Sequence, residues 1–170
     1  MRDSAANEIG SILFKIDKNK SRYEAVSKST GVPWYVIAVI HNMEASLNFT
    51  RHLHNGDRLT GRTTHVPIGR PVAGTPPFTW EESATDALTM QGMTKIKDWS
   101  IPNILLTLEK YNGGGYARRV INSPYLWAAT NHYGDAPNIG KYTADGKFDP
   151  KAISHQIEFN LPSRRGCAQR

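Results

Sequence analysis

An internal disulfide is excluded at the outset, because the 170-residue chain holds one cysteine, Cys167, and its stability must come from packing. Long apolar runs are missing as well. No stretch approaches the roughly 18 residues needed to cross a bilayer, so no stable membrane insertion is expected. The start, "MRDSAANEIGSILFKIDKNK", breaks its apolar patch with charges and offers neither an h-region nor a small-residue cleavage site. The chain is therefore expected to be made in a host cytoplasm without a signal peptide. Nucleotide-binding and common hydrolase signatures are lacking too: there is no Walker A loop, no GxGxxG, no GxSxG and no HExxH. Cys167 has no base beside it and is not read as a nucleophile.

What is present is positive charge. A formal net charge of +6 and a pI near 9.5 favour polyanionic partners. The cations are scattered, apart from the tail "SRRGCAQR", and match no zinc-finger spacing or basic helix, so no nucleic-acid partner is expected. The length suits one domain, taken as residues 1–161 with a basic, disordered tail over 162–170, and a monomer is expected.

Along the chain, apolar spacing and stop signals predict helices joined by Gly/Pro-rich connections. Ile9, Ile12, Leu13 and Ile16 share a helical face, with Ser4 as a candidate cap. A second helix over about 20–29 stops at Gly31. Pro33 opens a third, "PWYVIAVIHNMEAS", whose length favours helix over strand. Thr79 and Glu82 have capping-box spacing at the start of "TWEESATDALTM". "IPNILLTLEKYN" reads as an amphipathic helix ended by three glycines, "YLWAATNHY" as a short helix, and Pro150 as the start of a last one. Between them, Asn55-Gly56-Asp57 is a turn signal and "RLTGRTTHVP" suits a small β-hairpin. The expected class is α+β, predominantly α-helical.

Glu44 stands at the end of the third helix, on the turn following Ile37 and Ile40. Partial desolvation there would raise its pKa toward that of a general acid; alternatively it is a helix-end glutamate paired with Arg51. Asp57, in the turn, is expected to be exposed and ionised, or to cap its own backbone. Thr63, six residues on, could hold a water through its hydroxyl, or serve only as a strand former. Two carboxylates in contrasting environments are what glycoside hydrolysis needs.

A helix ending in "IAVIHNMEASLNF", a small β-rich segment and the later "LEKYNGGGY" together resemble the lysozyme-like superfamily. "HLHNGDRLTGRTTHVPIGRP" and "SPYLWAATNHYGDAPNIGKYTADGKFDP" are similar to peptidoglycan hydrolases of phages and bacteria. Ala45 departs from the Ser that follows the acid in the transglycosylase motif. The resemblance, over roughly residues 30–155, implies a lysozyme-like fold with a β-hairpin lobe. It also implies cleavage of the bond between N-acetylmuramic acid and N-acetylglucosamine in peptidoglycan, without cofactor or metal. The catalytic set would be Glu44, Asp57 and Thr63, with His54, Tyr111, Asn112 and Tyr133 against the sugar.

His52 and His54, two apart, lack a third ligand and are not read as a metal site. The reading is a muramidase working by general acid catalysis, and a lytic transglycosylase on the same bond is the alternative. A chitinase is the nearest rival in substrate, and a non-catalytic wall-binding piece of a phage particle the rival from another class. Action at the periplasm or cell wall is expected, after release or within a phage particle.

Overall fold

The structure is a computed structural model and describes residues 3–111, 113–128, 130–143 and 145–154. Asn112 and the 162–170 tail lie outside the described residues. The helices are α1 (Asp3–Lys18), α2 (Lys20–Thr30), α3 (Trp34–Ala45), α4 (Trp80–Met90), α5 (Ile101–Tyr111) and the single turn α6 (Pro124–Trp127). Strands β1 (Lys141–Tyr142) and β2 (Phe148–Asp149) pair antiparallel, Lys141 with Asp149 and Tyr142 with Phe148. The chain is thus mainly helical with a small two-stranded sheet. By packing, the described residues fall into two compact units, residues 11–99 and residues 100–154 with 3–10.

In the 11–99 unit the start and stop signals operate as chemistry dictates. Gly31 closes α2 in the left-handed region (φ 75°), its N–H bonded to the Ser27 carbonyl. Pro33 precedes the first turn of α3. At α4, the Thr79 hydroxyl accepts the Glu82 N–H while the Glu82 carboxylate accepts the Thr79 N–H, completing the capping box. α3 buries residues on nearly every side, among them Ile37, Ile40, His41 and Met43, as suits a helix inside a core. α1 behaves otherwise: of its expected apolar face only Ile16 is buried, while Leu13 is exposed, and the helix already includes Asp3, one residue before Ser4.

The core between α2, α3 and α4 is aromatic. Tyr23, His41 and Phe49 surround Trp80, with ring centroids 5.4, 4.7 and 4.8 Å from it. Arg22 lies 4.1 Å over the Phe49 ring and makes a two-pronged bond to Glu81, 2.6 and 3.0 Å. This packing fixes the buried end of α3, and with it the position of Glu44.

The expected hairpin over 58–67 does not form. That stretch contains turns and bends, with a lone antiparallel bridge between Arg51 and Arg58. Pro67 and Pro71 have no N–H for a ladder, and the Thr63 hydroxyl takes over the backbone groups a partner strand would need. The sheet lies instead in the other unit, around the turn that contains Asp145, Gly146 and Lys147.

In the unit containing residues 100–154, Tyr116 packs edge-on against Tyr125 and Tyr142, at 5.6 and 5.2 Å, and accepts the Tyr142 N–H. Residues 150–154 form a turn and irregular chain rather than the start of a helix.

Candidate functional site

α3 ends at Ala45, and Ser46 and Leu47 both take left-handed backbone angles, φ 51° and 59°. Two consecutive non-glycine residues in that region are uncommon and reverse the chain immediately after Glu44. The reversal is held by the Ser46 N–H to the Asn42 carbonyl at 3.0 Å and the Leu47 N–H to the His41 carbonyl at 3.3 Å. Glu44 is half-buried on the last turn.

The turn carrying Asp57 folds back onto this helix end. Gly56, at φ 76°, comes so close that a Cβ there would stand 2.7 Å from the Glu44 carbonyl oxygen. Only glycine meets both conditions, positive φ and no side chain. Arg51 reaches over the same turn and donates to the Gly56 carbonyl at 2.8 Å.

Asp57 is ionised, as the turn signal suggested, but it is not an exposed group: its side chain is 16% accessible. Its Oδ2 accepts the Thr64 and His65 N–H groups at 2.8 and 3.0 Å, and its Oδ1 faces His65 Nδ1 at 2.7 Å. Burial pushes its pKa upward, but the His65 and Thr64 hydrogen bonds outweigh it and bring the carboxyl down to about 2. The side chain that caps the turn is Asn55, whose Oδ1 accepts the Asp57 N–H at 3.0 Å. Asp57 therefore clamps residues 64–65.

Thr63 is buried. Its hydroxyl donates to the Pro67 carbonyl and accepts the Arg70 N–H, while its backbone exchanges bonds with Gly69 and Arg70. The hydroxyl closes the 63–70 loop, a geometry that does not favour the water-holding role.

His54 is buried beneath the same loop. Nε2 lies 2.7 Å from Asp86 Oδ2, and Arg70 grips Asp86 with two bonds of 2.9 and 2.8 Å. Burial lowers the pKa of His54 despite the opposing pull of Asp86, so the neutral ring donates from Nε2. His52 donates from Nε2 to the Gly61 carbonyl at 2.8 Å, which leaves Nδ1 to accept the Ser83 hydroxyl at 2.8 Å. Both rings thus tie the loop to α4. Ser83, His54 and Asp86 are the residue types of a hydrolytic triad. Ser83, however, is wholly buried and gives its proton to His52, so no substrate carbonyl reaches it.

Tyr111 and Tyr133 belong to the other unit, and both are buried. The Tyr133 hydroxyl donates to the Gly140 carbonyl at 3.0 Å and accepts the Ser154 N–H at 3.1 Å, which makes it an internal fastener of that unit. Trp127 and His132 meet edge-on at 4.9 Å, and Tyr125 packs edge-on against Tyr116.

Sequence reasoning missed three buried polar groups. Ser83 lies about thirty positions from its histidine partners and gives no local signal. His41 receives the Tyr23 hydroxyl at Nδ1, 3.0 Å away, and is driven down to about 4, chiefly by burial. Burial likewise raises the Tyr23 phenol, so tyrosine is the donor in this pair. Glu109 is the third, buried on α5. Among the described residues no His/Cys/Asp/Glu group has a metal-ligating arrangement, and no helix is long and apolar enough to cross a membrane. Comparison with family models, curated proteins and solved structures finds no match to this chain.

Proposed function

We propose that the protein is a glycosidase acting on peptidoglycan, with Glu44 as the proton donor to the oxygen linking N-acetylmuramic acid to N-acetylglucosamine. The observation that carries this reading is the contact between the Asp57 turn and the helix end bearing Glu44, which Gly56 alone permits. It gathers one half-buried carboxyl and one firmly ionised carboxylate on adjoining backbone. Contrasting carboxyl environments are the basis of acid-assisted glycosidic cleavage. The cationic charge of the chain favours capture of an anionic wall.

The second step can take two courses. In hydrolysis, the departing sugar keeps the proton from Glu44, water adds to the anomeric carbon, and the proton that water releases passes to the Glu44 carboxylate, restoring the acid and leaving a reducing end. In transglycosylation, the muramic 6-hydroxyl attacks instead, and its proton returns to Glu44, leaving an anhydro sugar. The engagement of Asp57 by residues 64–65 and of Thr63 by Pro67 and Arg70 favours the second course, which requires no separate water-activating group.

Mass spectrometry of purified peptidoglycan digested by the protein distinguishes the courses, because reducing and anhydro ends differ by one water. Glu44→Gln is expected to lower the rate on the order of 100-fold or more while leaving the circular dichroism unchanged. An unaltered rate removes Glu44 from the chemistry. A wild type that binds the wall without releasing fragments supports a wall-binding component of a phage particle instead, and preference for chitin oligomers supports a chitinase.

A further inference from the structure

A second carboxyl group stands outside the region around Glu44. α5 carries Pro102, Leu105, Leu106 and Glu109 at positions i, i+3, i+4 and i+7, so the acid lies on the same face as the apolar residues. All four line a pocket of about 370 Å³ that is completed by residues 117–127, with Ile121, Leu126 and Trp127 among its walls. Its volume falls at the small end of the range for small-molecule sites.

Glu109 is 7% exposed, and neither carboxylate oxygen has a hydrogen-bond partner among the described residues. The arginines of the following segment are engaged elsewhere: Arg118 donates to the Gly113 carbonyl, and Arg119 to the Tyr142 hydroxyl while stacking on Phe148. The polar wall residues make no bond to Glu109 either. The Asn122 amide donates to the His132 carbonyl at 2.8 Å, and the Ser123 hydroxyl caps α6 by accepting the Tyr125 N–H. A buried carboxylate without a donor is costly, by more than a neutral group would be. A ligand that brings a donor to it recovers that cost.

We propose that this pocket is a binding site for an alkylammonium group, with Glu109 as the anion that receives it. The leucine, isoleucine and tryptophan walls suit a chain of methylenes, while a terminal –NH3+ supplies the donors Glu109 lacks. The Trp127 ring adds a face to which a cation is attracted. This site lies within the unit containing residues 100–154 and is independent of the role assigned to Glu44.

The full-length protein is titrated with hexylammonium, hexan-1-ol and Nα-acetyl-lysine methylamide, following the Trp127 indole resonance by NMR. Saturable binding of an ammonium probe is expected, at least about tenfold tighter than hexanol. Tighter binding of hexylammonium indicates a free amine as the natural ligand, and tighter binding of the lysine derivative a peptide side chain. Glu109→Gln and Glu109→Met, both close in volume to glutamate, are each expected to weaken ammonium binding about tenfold and to leave hexanol unchanged. The proposal is overturned if hexanol binds as tightly as the ammonium probes, if neither probe saturates at millimolar concentration, or if both variants bind like the wild type. Loss of fold in both variants, seen by circular dichroism, makes Glu109 a structural group and overturns it equally.

Discussion

Gly56 and Glu44 meet backbone to backbone, with only 2.7 Å between the carbonyl oxygen of Glu44 and the point where a Cβ on Gly56 would lie. Twelve positions separate them in sequence, yet this contact determines where the Asp57 turn sits.

Gly56→Ala must therefore relieve both an unfavourable φ and a collision with backbone, and should lose roughly 3 kcal/mol of stability. Gly31→Ala is the matched control: its φ of 75° is the same, but no atom lies within 4 Å of the added methyl. It should lose only about 1 kcal/mol. Urea unfolding of the two variants isolates the effect of the close approach, and equal losses would show that the turn can move away from α3.

Asp57 links the same turn to pH. Its carboxyl falls from an ordinary 3.8 to about 2, so its contribution is complete above 3.8 and is lost as the pH falls toward 2. The size of the shift corresponds to about 2 kcal/mol at neutral pH. Asp57→Asn should show a deficit of that order at pH 7, narrowing below pH 3.8, in denaturant titrations at several pH values.

His41 acts in a separate window. Its ring is lowered from 6.5 to about 4, so the unfolded chain binds the extra proton first, and stability declines as the pH falls from 6.5 to 4. The loss from this group is roughly 3 kcal/mol over that interval. The wild type should lose stability between pH 7 and 4, while His41→Gln, which retains an acceptor for the Tyr23 hydroxyl, should show a shallower slope. His54 is shifted in the same direction, and its share of the slope should persist in the variant.

Ser83 serves two backbone-distant partners with one hydroxyl. It donates to His52 Nδ1 and accepts the Leu53 N–H at 3.2 Å. Ser83→Ala should cost roughly 2 kcal/mol, since the buried imidazole nitrogen of His52 is deprived of its donor. Ring-nitrogen NMR of His52 provides the specific readout, and an unchanged Nδ1 resonance with unchanged stability would contradict the assigned network.

Features written in adjacent residues were legible in the sequence. The Thr79–Glu82 capping box, the Gly31 stop, the span of α3 and the Asn55-Gly56-Asp57 turn all depend on local spacing. The segment from 58 to 67 was misread because its Thr and Val content suggests short strands, whereas Thr63 bonds its own loop and the prolines withhold ladder donors. Glu109 was overlooked although its spacing from Pro102, Leu105 and Leu106 placed it on the apolar face. The His52–Ser83 and His54–Asp86 bonds, by contrast, join residues about thirty apart and leave no periodic trace.

The long connection between α3 and α4 is thus ordered by single side chains rather than by a repeating ladder. Helices share their hydrogen bonds among interchangeable residues, so a random substitution in one is usually absorbed. In the connection, Asn55, Asp57, Thr63 and Arg70 each hold a bond that no neighbour duplicates, and Ser83 and Asp86 receive the loop on one side of α4. A saturation library of this protein should therefore show an inverted tolerance map: permissive faces along α2 and α4, and sharply intolerant points scattered through the stretch that has the least regular structure.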